Sequence, residues 1–392
     1  MGDRKNLDMA MTVIKIDGGN GGRRWMEKAM VVDDLMNESG AAPTISSNKS
    51  PIVFYMNMSK QTYTNSASIN IVSVSDSDVN LTNIRSGSHT DIGPRKFNED
   101  EHIRIDDLSS HLGDLYKWSF PSSFYAIFDG HGGSEASSFV KNHVMKLLFE
   151  DSDFPQSSDI NKTFLKDLED SHSKAFLLAD KAIANECSIN NDCGTTALTV
   201  LVLGQHLVIA NAGDCRAVLC RNGIAIPMSQ DHRPSCLQEK KRVEELGGCF
   251  EGGFLDGDLA VTRALGDWYL KLPIGSNSPL IANPEVSVMV LSEEDDEFMI
   301  IGCDGIWDVM SNQAAVSLVR RELRRHNDPK RCAMELVKEG LRLHAADNLT
   351  AIVVCFKDRI EPLVGSTRPK SRRIAMSEEA RNTLRRSLLG EN

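Results

Sequence analysis

The sequence lacks any apolar run longer than a strand, and its N-terminus is polar, so we expect no membrane-spanning helix, secretory leader or stable membrane association. It also lacks a surplus of cations. The formal charge of -11 argues against nucleic-acid binding, because holding a phosphate backbone takes clustered Lys and Arg. Its nine cysteines are odd in number and form no Cys-x-x-Cys pair, and several lie inside apolar segments as small hydrophobes do. A reducing compartment follows, cytoplasmic or nuclear. Gly18 to Gly22 is not followed by Gly-Lys-Ser or Gly-Lys-Thr, which excludes a phosphate loop there. Met1-Gly2 with Asn6 in place of Ser or Thr does not make an acylation start.

What is present is a long chain of ordinary hydrophobic content, 41% of 392 residues, enough for one large domain with extensions or for two smaller domains. Residues 1–90 are rich in Ser, Asn, Asp and Met and read as a flexible or loosely packed N-terminal extension, with short strands conceivable at 51–56 and 69–74. Residues 91–358 change character, with apolar runs separated by polar turns. Strands are expected at 124–128, 196–203, 207–212, 216–220, 298–303 and 349–356, and a charged loop after residue 100. Helical spacing marks 133–149, 160–185, 236–246, 312–326 and 329–344, the last announced by Asp328 as cap and Pro329 in the first turn. Hairpin-like spacing of strands, with pairs of helices between strand groups, predicts an α+β fold: a β-sandwich of two mainly antiparallel sheets flanked by helices. Residues 252–281 form a connection long enough to be functional. Residues 359–392 read as a basic C-terminal tail, with a helical segment conceivable at 376–389. Arg385-Arg386-Ser387 within it is either a docking or phosphorylation site or simply solvated.

The acids have a pattern. Asp129 and Asp304 each end an apolar strand, Asp347 precedes one, and Asp214 sits in the turn between two, with Glu99 and Asp100 able to join them. Each could merely cap a turn. Gathered at one edge of a sandwich, however, ionised carboxylates require cations between them, and all-oxygen ligation points to Mg²⁺ or Mn²⁺ and away from zinc. Gly130, after Asp129, allows close backbone approach to an ion.

Eight ordered motifs carry a resemblance: Arg95 with Glu99-Asp100, Phe128-Asp129-Gly130-His131-Gly132-Gly133, Gly194-Thr195-Thr196-Ala197, Asn211-Ala212-Gly213-Asp214, Asp231-His232-Arg233-Pro234, Leu259-Ala260-Val261-Thr262-Arg263-Ala264-Leu265-Gly266-Asp267, Cys303-Asp304-Gly305-Ile306-Trp307-Asp308 and Asp347-Asn348. Over residues 92–356 the chain resembles plant-like members of the metal-dependent protein serine/threonine phosphatases of type 2C. The resemblance implies two Mg²⁺ or Mn²⁺ ions bridged by Asp129, with Gly130 and Glu99 on one and Asp304 and Asp347 on the other. Asp214 with Asp304 would hold a weaker third ion. Arg95 would bind the substrate phosphate and His131 act as general acid, while a metal-bound hydroxide attacks phosphorus without a phosphoenzyme. The expected partners are phosphoprotein substrates, and the expected state is a monomer.

Blander readings stand beside these. Arg95 could be a surface charge and His131 a helix cap, and Asp267, Asp308 and His232 read as turn or supporting residues. The chain departs from the family pattern at Asn98, Glu101 and Cys193, and Glu101 adds negative charge near the metal entrance. A non-catalytic pseudophosphatase that binds phosphoproteins is the alternative function. A nuclease-like phosphohydrolase is disfavoured by the acidic charge.

Overall fold

A computed structural model describes residues 84–116, 118–157, 159–271 and 278–360. Most of the N-terminal extension, the conceivable strands at 51–56 and 69–74, and the basic tail with its conceivable helix lie outside the described residues.

Two five-stranded antiparallel sheets face each other. One runs in the order Arg85–Asp91, Leu349–Cys355, Asp296–Gly302, Arg216–Arg221, Ile224–Pro227. The other runs Glu285–Val290, His206–Ala212, Ala197–Leu203, Ser122–Phe128, Glu101–Ile105. The central strands are buried on both sides, so their side chains split between two cores by strand periodicity. Tyr125 and Ile127 point between the sheets to join Met299, Ile301, Ile352 and Val354. Phe124, Ala126 and Phe128 face the other way, against Val140, Val144 and Leu148 of the helix Glu135–Phe149 and Phe164, Leu168 and Phe176 of Lys162–Asn185. Phe298, Ile300 and Val353 are covered in turn by Val316, Val319 and Leu336 from the helices Asn312–His326 and Pro329–Arg342. The layers are therefore helix, sheet, sheet, helix, the expected α+β sandwich.

The helices follow the sequence pattern closely. Asp328 caps Pro329–Arg342 by accepting from the Lys330 and Arg331 amides, and Asn161 does the same for Lys162–Asn185. The edge strands differ from expectation. Arg85–Asp91, assigned to the extension on composition, pairs along its whole length with Leu349–Cys355. Glu101–Ile105, expected as a charged loop, pairs with Ser122–Phe128, and Glu285–Val290 pairs with His206–Ala212. These strands are half-buried or exposed along much of their length, and the few apolar residues that two of them pack on the core, Ile103, Ile105, Val286 and Val288, make no continuous run to announce them.

Candidate metal centre and active site

Strand register brings the acids to one rim. Glu101 lies opposite Phe128, so Asp100 and Asp129, each one residue further toward the rim, emerge together. In the other sheet Gly302 lies opposite both Arg216 and Ala351, which sets Asp304, Asp214 and Asp347 just beyond the same edge. The turn Gly213–Asp214–Cys215 carries the chain from one sheet to the other, and Gly213, at φ 122°, fits because a Cβ there would stand 2.4 Å from the Thr196 Cβ.

Ligand oxygens of Asp129, Asp214 and Asp304 lie within 4.8 Å of one another, and so do the ligand atoms of Asp100, Asp129 and Cys303. Burial, then the charges of Asp100, Asp304, Asp214 and Asp347, raises the Asp129 carboxyl well above the usual range. Asp304 is pushed up to about 8, by burial first and then by Asp214 and Asp347. Asp100 rises to about 6, chiefly through burial, and burial also raises Asp214. The cluster holds more negative charge than its surroundings stabilise. One oxygen, Asp100 Oδ1, is buried with no hydrogen-bond partner, while Oδ2 accepts from Thr350 Oγ1 at 2.6 Å. The Asp129, Asp214 and Asp304 group offers oxygen alone, and with the orphaned Asp100 acceptor beside Asp129 it fits a hard divalent cation, while burial keeps the neighbouring Cys303 thiol protonated.

The frame around these acids is made by neighbouring motif residues. The Asp129 carbonyl accepts from the Thr196 amide at 2.9 Å and Thr195 Oγ1 at 3.1 Å. Asn348 ties residues 92–99 to the last strand, donating to the Ile92 and Phe97 carbonyls and accepting from the Glu99 amide. Gly130 is packed so tightly that a Cβ would stand 2.5 Å from the Glu99 carbonyl oxygen.

Other sequence-predicted residues have their own partners. Asp347 lies outside both groups of mutually close ligand atoms, its Oδ2 taken by Arg95 Nη2 at 2.6 Å and its Oδ1 by the Asn348 amide at 2.7 Å. Arg95 thus rests on an expected ligand, with 55% of its side chain exposed. The Glu99 side chain also lies outside those groups, with the residue anchored through its backbone. His131 Nε2 meets Asp267 Oδ2 at 2.8 Å and Oδ1 at 3.0 Å. Burial pulls the imidazole pKa down, yet the Asp267 hydrogen bond and charge, with Asp214 and Glu99, leave it above its ordinary value.

Three residues have partners that the sequence does not show. Asp267, expected to hold a turn, is the partner of His131. It is delivered by a small three-stranded sheet, Leu265–Gly266, Gly194–Thr195 and Gly130–His131, midway along the long connection. Gly194 makes the room, since a Cβ there would meet Asp267 Oδ2 at 2.1 Å. Asp308, likewise expected in a turn role, pairs with Arg233 at 2.8 Å. Glu101, expected to add charge at the entrance, is matched by Lys141 at 2.6 Å. His232 keeps a supporting role, its Nδ1 accepting from the Gly213 amide. The Leu-Gly-Asp midway along the long connection was the available signal for Asp267, but its partner lies 136 residues away.

Fold and site together define a layered α+β scaffold with a carboxylate cluster at one rim that fits a divalent cation. The family model described as Protein phosphatase 2C matches residues 84–349. A protein of Oryza sativa subsp. japonica named "Probable protein phosphatase 2C 47" is 55% identical over 313 residues, covering 78% of this chain and 80% of its own. "Probable protein phosphatase 2C 13" of Arabidopsis thaliana is 55% identical over 317 residues, covering 79% and 81%. Among solved structures, the serine-threonine phosphatase 2C from Toxoplasma gondii has a TM-score of 0.59 at 25% identity, covering 70% of this chain and 95% of that one. The chain belongs to the protein phosphatase 2C family, the metal-dependent serine/threonine phosphatases.

Proposed function

We propose that this chain hydrolyses phosphoserine and phosphothreonine in proteins using two divalent cations, Mg²⁺ or Mn²⁺, bridged by Asp129. Gly130 and Glu99 would complete one site and Asp304 and Asp347 the other, with Asp214 and Asp304 able to hold a weaker third ion. The observation that carries this reading is the gathering of Asp100, Asp129, Asp214 and Asp304 at one rim with raised carboxyl pKa values and an orphaned Asp100 oxygen. Bound there, such ions supply an acidified water for direct attack on phosphorus and offset the phosphoryl charge, so no phosphoenzyme is required.

The chain's own side chains do the rest. Arg95 turns its exposed guanidinium to the phosphate oxygens, exchanging its Asp347 contact for a phosphate of matching geometry. Asp267 orients His131 through Nε2 and favours its charged form. The other ring nitrogen, Nδ1, then gives its proton to the departing serine or threonine oxygen and leaves a neutral imidazole.

A phosphopeptide assay with Mn²⁺, with and without chelator, tests the reading. Metal-stimulated release of phosphate that disappears in Asp129→Asn is expected. Phosphopeptide binding with no release at any metal concentration would establish the non-catalytic alternative.

A further inference from the structure

Arg233 stands where a cation is needed. It follows Asp231-His232 in a loop anchored at the rim by the His232 amide, which donates to the Gly213 carbonyl at 2.9 Å, and by the Gly213 amide, which donates to His232 Nδ1. From there its guanidinium reaches three carboxylates: Nε lies 2.8 Å from Asp214 Oδ2, Nη2 lies 3.2 Å from Asp304 Oδ2, and Nη1 lies 2.8 Å from Asp308 Oδ1. Two of these carboxylates, Asp214 and Asp304, belong to the group whose ligand atoms lie within 4.8 Å of one another. The nearby Arg216 is occupied elsewhere, bidentate on Asp231 and stacked on Trp307. Arg95 is on Asp347. Among the described residues Arg233 is therefore the cation paired with Asp214 and Asp304.

We propose that Arg233 is a built-in counter-cation for the Asp214–Asp304 pair, holding that pair together when no metal ion is bound there and competing with a divalent ion for the same oxygens. The inference rests on the phosphatase reading only in taking the rim as a divalent-cation site. Its logic is a competition between two kinds of positive charge. A guanidinium occupies the lone pairs of two carboxylates by hydrogen bonding, and an ion entering there must displace Nε and Nη2 and accept the repulsion of a charge that stays nearby. Asp308 gives the displaced guanidinium a place to remain, being about half exposed and already bonded to Nη1. Arg233 thus makes the ion at Asp214–Asp304 the most weakly held at the rim, and it limits like-charge repulsion in the metal-free protein.

The two consequences have opposite signs, and a merely structural arginine would not produce that. Arg233→Gln is expected to unfold at a lower temperature than wild type in chelator, yet to bind Mn²⁺ at its weakest calorimetric site about tenfold more tightly. Arg233→Lys keeps the charge without the forked geometry and is expected to stay within about twofold of wild type in that affinity. Both measurements use the full chain, with Mn²⁺ alone as probe and no substrate. Should Arg233→Gln be less stable but bind Mn²⁺ no more tightly, or should neither quantity move, the proposal is overturned while the phosphatase reading stands. Wild type that takes up no Mn²⁺ at all overturns both.

Discussion

The Glu239 carboxylate and the carboxylates at the rim are charged differently. Glu239, 4% exposed, accepts from Arg263, Arg242 and Thr262, at 2.7 Å from Arg263 Nη2, 2.8 Å from Arg242 Nη2 and 2.8 Å from Thr262 Oγ1. Burial works against its charge, but the two guanidinium groups hold its carboxyl far below the usual range. At the rim Arg233 pairs with Asp214 and Asp304, Asp100 accepts from Thr350, and the carboxyls of Asp100, Asp129, Asp214 and Asp304 are all raised. The first cluster is complete within the protein. It joins the helix Leu237–Glu245 to the long connection that carries Asp267. The second is left short of positive charge, and that difference separates a structural acid from a proposed ligand more cleanly than burial does, since Asp100 and Asp214 are as buried as Glu239.

The sharpest way to break this comparison is to neutralise one acid in each cluster. Asp304→Asn should lower phosphatase activity by about a thousandfold or more, because a metal position loses its charge. In chelator the same variant should melt ~3 °C higher than wild type, because a like charge has been removed. A fall in its metal-free melting temperature would remove the distinction drawn above. Glu239→Ala should behave oppositely, losing about 3 kcal/mol in urea unfolding whether or not Mn²⁺ is present, since two half-buried guanidinium groups lose their partner.

The third test concerns the acid that sits between the two kinds. Asp267 is buried like a structural acid, yet its partner is the proposed proton donor. Asp267→Asn should slow a phosphoserine peptide about a hundredfold while slowing an activated aryl phosphate far less, because only the poor leaving group needs the proton. Equal slowing of both would remove the His131–Asp267 pair from proton delivery.

The smallest effect separates a charged cluster from a buried neutral group. His172 is fully buried on the helix Lys162–Asn185, its Nδ1 donates to the Leu168 carbonyl, and burial lowers its pKa to about 4. Below about pH 6.5 the unfolded chain takes up a proton that the folded protein refuses, so this contribution to stability is present above that pH and fades as pH falls toward 4. The loss should be about 2 kcal/mol between pH 7 and 5. His172→Leu should show that much less pH dependence in urea unfolding over this interval. Glu239, with its pKa depressed, should add none there, because its contribution is kept above the unfolded carboxylate value near 4.5 and is lost only below it.

Different parts of the molecule were legible to different degrees. Ser122–Phe128, Ala197–Leu203 and Asp296–Gly302 are buried at every position, so their apolar runs stood out. Arg85–Asp91 and Glu101–Ile105 lie at sheet edges, where backbone pairing needs no apolar side chain, and they did not. The rim acids were visible as acids at strand ends, whereas Asp267 and Arg233 looked like ordinary turn and loop residues.

By itself the sequence determined which segments become buried strands and which carboxylates stand at their ends, because burial and strand ends leave a mark within a few residues. Only the tertiary structure decided how those charges are shared: Arg233 with Asp214, Asp304 and Asp308, Arg95 with Asp347, and His131 with Asp267. Electrostatic partnership depends on distance in space, and pairs as far apart as Arg95 and Asp347, 252 residues along the chain, leave no local pattern from which it could be read.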